Sequence, residues 1–155
     1  AAVVPQEVVV LGGETRHVSS EIPRGTAQVS PAQGPQARIP DGPMACAPLG
    51  AIVGARSGDK GGNANLGVFT RDDAAWAWLD EWLTTERLCG LLPEIAAFPI
   101  DRHRFPALRA LNFVVHGILE EGVAAATRQD GQAKSLGEWL RARVVEMPKA
   151  LLSAS

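Results

Sequence analysis

The side chains best suited to chemistry gather in one stretch, Gly54–Gly67 (GARSGDKGGNANLG), where five glycines flank or interrupt Arg56, Ser57, Asp59, Lys60, Asn63 and Asn65. A loop of this composition can turn several backbone N–H groups inward as a nest for an anion. Arg56 and Lys60 add positive charge to it. A carboxylate, a phosphate or a coenzyme pyrophosphate suits such a loop. The phosphate-binding spacing GxxxxGK followed by Ser or Thr is absent, as is a GxGxxG run opening a helix. The plainer reading of the same residues is a tight polar hairpin between two strands, with Asp59 and Lys60 solvated.

A second concentration of charge, Arg102, His103, Arg104 and Arg109, surrounds Pro106. If the strands that carry them adjoin, Arg109 and Asn112 face the same ligand as Lys60. The plainer account makes Arg102 and Arg104 outward residues of an edge strand, where charge discourages edge pairing. His116 has the chemistry of a base, although a lone histidine on a strand is more often a hydrogen-bonded structural residue. Lys134 and Ser135 open the last helix, whose N-terminus attracts anions, but Ser135 as N-cap with a solvated Lys134 is the simpler account. There is no GxSxG, no HExxH and no clustered carboxylate set. Cys46 and Cys89 form neither a metal quartet nor a disulfide framework, so no metal and no cofactor is expected. Cys89 reads as an inert thiol on the apolar side of a short helix.

The elements that must position these groups follow from periodicity. Glu7–Leu11 and Thr15–Ser19 read as strands joined across Gly12-Gly13. Leu49–Ala55 and Asn65–Thr70 are short apolar runs suited to strands on either side of the glycine-rich stretch. Asp72 or Asp73 caps an amphipathic helix over Asp73–Leu83, and Thr84 caps another over Thr85–Leu92 that ends before Pro93. Ile100–Phe105 and Leu111–Ile118 alternate as adjacent strands, the second with Leu111, Phe113 and Val115 on one face and Asn112, Val114 and His116 on the other. Gly122–Thr127 is a further candidate strand, and Gln132–Val145 a final helix. Trp76, Trp82 and Trp139 fall on apolar stripes and are expected in the core, with Trp78 partly exposed. This order implies an α+β sandwich of ferredoxin-like type, a mainly antiparallel sheet with helices on one face.

Whole-chain quantities bound the function. The 155 residues suffice for one domain plus a tail. Fifteen Lys and Arg against seventeen Asp and Glu leave a net charge of −2, which argues against the many phosphate contacts of a nucleic-acid binder. Hydrophobic residues make up 46% and mean hydropathy is +0.01, enough for a packed core. No apolar run approaches the roughly 20 residues that span a bilayer, and no basic leader precedes Leu11, so we expect a cytoplasmic protein with no membrane partner. Seven of the eleven prolines precede Leu49, whereas all four Trp and all four Phe follow it. The expected organisation is a hairpin over 1–22, a proline-rich linker over 23–47, the main domain over 48–148 and a tail over 149–155. A hairpin of that size is marginal alone, and the chain opens without Met, so the first part is expected to end a larger preceding domain or to pack on the main one.

The ordered set ARSGDKGGNANLGVF, TTERLCGLLPE, PALRALNFVVHGIL and QAKSLGEWLRARVVEMP resembles the C-terminal domain of the acyclic terpene utilisation (AtuA-type) family, over about Pro48 to Pro148. The resemblance implies a ferredoxin-like domain that in long members follows a larger N-terminal domain through a proline-rich connector. It implies bacterial catabolism of citronellol- and geraniol-type terpenes alongside acyl-CoA carboxylases, a pathway rather than a reaction. It also marks the segment holding Arg109 and Asn112 as characteristic. The expected ligand-binding set is therefore Arg56, Ser57, Asp59, Lys60, Gly61, Gly62, Asn63, Asn65, Arg109 and Asn112, taking a small anion such as a CoA thioester or a branched carboxylate. The alternative is a non-catalytic module for oligomerisation, or for docking a partner domain or carboxylase subunit. A third reading is a small acyl-CoA hydratase using Asp59 or His116 as acid or base. Expected partners are the larger domain of a longer protein and further copies of the chain.

Overall fold

The computed structural model describes residues 7–18, 34–35, 37–124 and 127–153. It divides into two compact units, Ala1–Pro31 and Ala32–Ser155. In the first, β1 (Glu7–Leu11) and β2 (Glu14–Val18) form an antiparallel hairpin. Its turn residues Gly12 and Gly13 both have positive φ, the conformation that a hairpin turn matched to strand twist demands and glycine supplies. Ser19 and, of the expected linker, residues 23–33 and 36 lie outside the described residues.

The second unit is built on a four-stranded antiparallel sheet ordered β4-β5-β7-β6, with β4 Val53–Lys60, β5 Asn63–Thr70, β6 Ile100–Phe105 and β7 Ala110–Val115. Alternation decides its two faces. Ala55, Leu66, Val68, Leu111, Phe113 and Val115 turn to one side and are buried there under the helices, each large side chain contributing about 1.5–3 kcal/mol. The expected α+β sandwich forms, with α1 (Asp73–Trp82), α2 (Thr85–Leu91) and α3 (Leu136–Ala142) against that side. Both expected caps are made. Asp72 Oδ1 accepts from the Ala75 N–H at 2.8 Å, and Thr84 Oγ1 from the Arg87 N–H at 3.2 Å. The Glu86 carboxyl, bonded to its own N–H and to the Thr84 hydroxyl, is held below the usual carboxylate range.

Several boundaries differ from expectation. Met44–Pro48 is strand β3, inside the segment read as linker, and it pairs antiparallel with Val144–Pro148 (β8), Cys46 opposite Glu146. The last helix stops at Ala142 because β8 takes over, burying Val145 and Met147. Leu49–Ala51 is a 3-10 turn, not the start of a strand. Its Leu49 is buried, and the Leu49 N–H donates to the Arg143 carbonyl at 2.8 Å. Residues 122–124 are turns; Ala125 and Ala126 lie outside the described residues. Lys149–Leu152, read as tail, forms the one-turn helix α4 and buries Leu151. Trp78 is only 4% exposed and Trp139 is 37% exposed, the reverse of the expected assignment. The reason is that α1 buries a broad face, Ala75, Trp76, Trp78 and Leu79, with Trp78 stacked on the half-buried Trp82 at 4.6 Å.

Two polar ties hold helices to the sheet. Ser57, on the helix side of β4, donates to the Lys134 carbonyl and accepts from the Gly137 N–H, both at 3.0 Å. It satisfies one of the free donors at the start of α3, in place of Ser135, whose side chain makes no cap. Arg102 and Arg104 share a face with Phe113 and Leu111, so the expectation that they point outward from an edge strand is corrected. Arg102 Nε donates to the Leu83 carbonyl at 3.0 Å and its Nη2 to Asp80 Oδ1 at 3.1 Å, while Arg104 pairs with the same carboxylate. Arg102 thereby closes carbonyls at the end of α1 against β6, and both arginines hold the Asp80 carboxylate.

These ties carry two expectations. Ser57→Ala should lower stability by about 1 kcal/mol in denaturant unfolding, because the α3 donor loses its acceptor; an unchanged midpoint would show that water replaces it at no loss. Burial raises the Asp80 pKa, but hydrogen bonds and charge from Arg104 and Arg102 outweigh that and hold it below the usual value. Its contribution is therefore complete above the unfolded carboxylate pKa and is lost as pH falls through the lower native one. Thermal melts between about pH 5 and pH 2 should show a steeper acid loss for the wild type than for Asp80→Asn, and parallel curves would contradict the assignment.

Candidate functional site

The glycine-rich stretch folds as strands rather than as an open loop. Val53–Lys60 and Asn63–Thr70 pair along their whole length, Lys60 opposite Asn63, leaving Gly61 and Gly62 as a two-residue turn. Gly61 has φ +62°, as the first turn position of a type II′ hairpin requires. Gly62 has another reason to lack a side chain, since a Cβ there would lie 2.3 Å from the Glu120 carbonyl oxygen. The expected site residues therefore separate. Ser57 caps α3, and Asp59 shares the helix side with Ala64 and Val115. Asn63 Oδ1 accepts from the Gly117 N–H at 2.9 Å, tying the hairpin tip to the chain leaving β7. Lys60 is exposed beside that tip, its Nζ on the Asp59 carbonyl at 3.0 Å.

Arg109 stands at the other end of the sheet. It occupies the left-handed region at φ 50°, receives the Thr70 N–H on its carbonyl and pairs through its guanidinium with Asp73 at the start of α1. The eight residues of β5 from Asn63 to Thr70 span roughly 23 Å, so Lys60 and Arg109 do not meet at one ligand.

Three of the expected residues do come together, on the face away from the helices. Register places Arg56, Gly67, Asn112 and His103 in one row across all four strands, a width of about 14 Å. Asn65, one row along, donates through Nδ2 to Asn112 Oδ1 at 3.4 Å. Gly58 and Gly67 floor this patch. A Cβ on Gly58 would meet nothing within 4 Å, and one on Gly67 only the Arg56 carbonyl oxygen and Asn112 Oδ1, at 3.7 and 3.9 Å. His116, just past β7, has Nε2 2.9 Å from Asp101 Oδ2 on β6. The next row toward the β4 start is apolar, with Gly54, Phe69, Ala110 and Phe105 in register. Phe69 lies across Gly54. Phe69 and Phe105 are 40% and 45% exposed, and Leu108 in the turn after β6 is 70% exposed.

This face offers hydrogen-bond donors, positive charge and an apolar border, but no nucleophile beside a base. Ser57 faces the helices, Cys46 lies on β3 and Cys89 on α2. Among the described residues no group of three or more His, Cys, Asp or Glu could hold a metal ion. None of their helices is long and apolar enough to cross a membrane. His103, Phe69, Phe105 and Leu108 were not singled out from sequence as a site. Alternation alone puts His103 and Phe105 on one face of β6, and only the strand order joins them to Arg56 and Phe69.

Comparison with known proteins bears on this geometry through one match. A family model described as the AtuA ferredoxin-like domain matches residues 47–146. No curated protein and no solved structure matches. The matched segment contains the four-stranded sheet, the helices that cover it and half of the β3–β8 ribbon. It spans more than half of the 155 residues, and the chain belongs to the AtuA ferredoxin-like domain family.

Proposed function

We propose that this is a non-catalytic docking domain in a protein serving bacterial breakdown of citronellol- and geraniol-type terpenes. Its occupant is the larger domain that precedes it in long members of the family. The observation that carries the reading is the open sheet face, where the row of Phe69 and Phe105, with Leu108 at its end, borders the row of Arg56, Asn112 and His103. Aromatic side chains beside Arg match the composition of protein interfaces, and clustered exposed apolar residues on a folded domain mark contact surfaces. The exposure of Phe69, Phe105 and Leu108 also ranks this reading above a small-ligand site, because small molecules bind where concavity buries most of their surface.

A second reading, an anion site for a CoA thioester or a branched carboxylate, is favoured by the convergence of Arg56, Asn65 and Asn112 with His103 over a glycine floor. The two separate in solution. Titration calorimetry with the larger domain of a long member should give saturable binding that Phe105→Asp and Leu108→Asp each weaken by about tenfold or more, whereas Arg56→Ala changes it less. Binding indifferent to both apolar substitutions would remove the docking reading. The same instrument loaded with CoA thioesters or branched acids tests the anion site. There a response lost in Arg56→Ala and kept in Lys60→Ala is the expected signature, and silence from the wild type dismisses it. Sedimentation of the chain alone, with and without Phe105→Asp, shows whether a second copy occupies the face instead.

A further inference from the structure

A concavity with converging charge lies where β4 begins and β5 ends. A pocket of about 440 Å³ is lined there by Gly50, Val53, Phe69, Arg71, Asp72 and Arg141, among others, within the usual size of small-molecule sites. Arg71 is exposed and has no hydrogen bond or ion pair among the described residues. Arg141 reaches in from α3 with Nη1 bound to Glu138 at 3.1 Å, while its Nε is buried and unpartnered. A buried, unsatisfied guanidinium nitrogen calls for an acceptor that the described residues do not provide. Gly50 leaves the room: a Cβ there would lie 3.2 Å from Arg141 Nε and 3.1 Å from Arg141 Cβ. The carboxylate in the lining, Asp72, is engaged by the Ala75 N–H at the positive end of α1. The remaining wall is apolar, with the Phe69 ring laid over Gly54 and Ile52 and Val53 buried behind it.

We propose that this pocket binds a small carboxylate with a compact hydrocarbon body, the carboxylate between Arg71 and Arg141 and the hydrocarbon against Phe69. Guanidinium groups match the planar, two-oxygen geometry of a carboxylate. The Phe69 wall selects an organic acid over phosphate, because a phosphate pressed against it loses water without replacement. The proposal does not rest on the Arg56 patch; with the apolar row of the open face it shares Phe69 alone.

Titration calorimetry of the intact chain with butyrate, isovalerate, hexanoate and inorganic phosphate tests it. One or more of the carboxylates should bind saturably and more tightly than phosphate. Arg71→Ala and Arg141→Ala should each weaken that binding by about tenfold or more, and Gly50→Ala should weaken it by crowding Arg141. Arg56→Ala, on the open sheet face, should leave it unchanged, which separates this site from the anion patch there. Arg71 is exposed and has no hydrogen bond or ion pair among the described residues, so its variant keeps the test decisive, with a thermal melt as the check. No saturable binding up to about 10 mM, binding that survives Arg71→Ala, or phosphate bound as tightly as the acids would each overturn the proposal.

Discussion

Strand β5 is hydrogen-bonded along both edges, to β4 on one side and β7 on the other, and the rest of the domain depends on that double pairing. Because side chains alternate with a period of two, a slip of one residue would carry Ala64, Leu66 and Val68 out of the core and Asn65 and Gly67 into it. The register is pinned at the tip, where the Gly62 carbonyl receives the Leu119 N–H at 2.9 Å and Asn63 holds Gly117. It is pinned at the far end by Thr70 and Arg109. Glycines and asparagines that look like ligand chemistry are consumed in fixing this pairing.

What remains for function is sorted by the same alternation. The helix side takes the charged groups with internal work: Ser57 starts α3, and Arg102 and Arg104 converge on Asp80 at the end of α1. The opposite side keeps Arg56, Asn112 and His103 beside an apolar row, a surface suited to contact more than to enclosure. At the margin a 3-10 turn, the end of β5 and α3 enclose a pocket around two arginines. The proposed docking face and the proposed acid pocket share Phe69 but draw their charge from different residues, Arg56 on the face and Arg71 with Arg141 in the pocket.

Much of this was legible in the sequence where the determinants are local. The caps Asp72 and Thr84, the alternation of β6 and β7, and the polar hairpin as the plainer reading of Gly54–Gly67 all depend on residues a few positions apart. The motif set also identified the family. Long-range pairing hid the rest. Met44–Pro48 carries no strand signal among its prolines, and its partner Val144–Pro148 continues the apolar stripe of α3, so neither announces the ribbon the two form. The inward course of Arg102 and Arg104 is decided by Asp80, more than twenty positions earlier, and no spacing rule joins Arg71 to Arg141.

The central claim is that the Arg56–Asn65 stretch is sheet architecture, which moves ligand chemistry away from it. Residue-resolved amide hydrogen exchange across Val53–Thr70 tests this most directly. Pairing on both edges predicts that the amides of Asn63–Thr70 exchange only through rare, near-global opening, with protection continuing on the paired amides of β4 up to Lys60. Rapid exchange from Arg56 to Asn65, as in a solvated loop, would contradict the account and return the anion nest to first place.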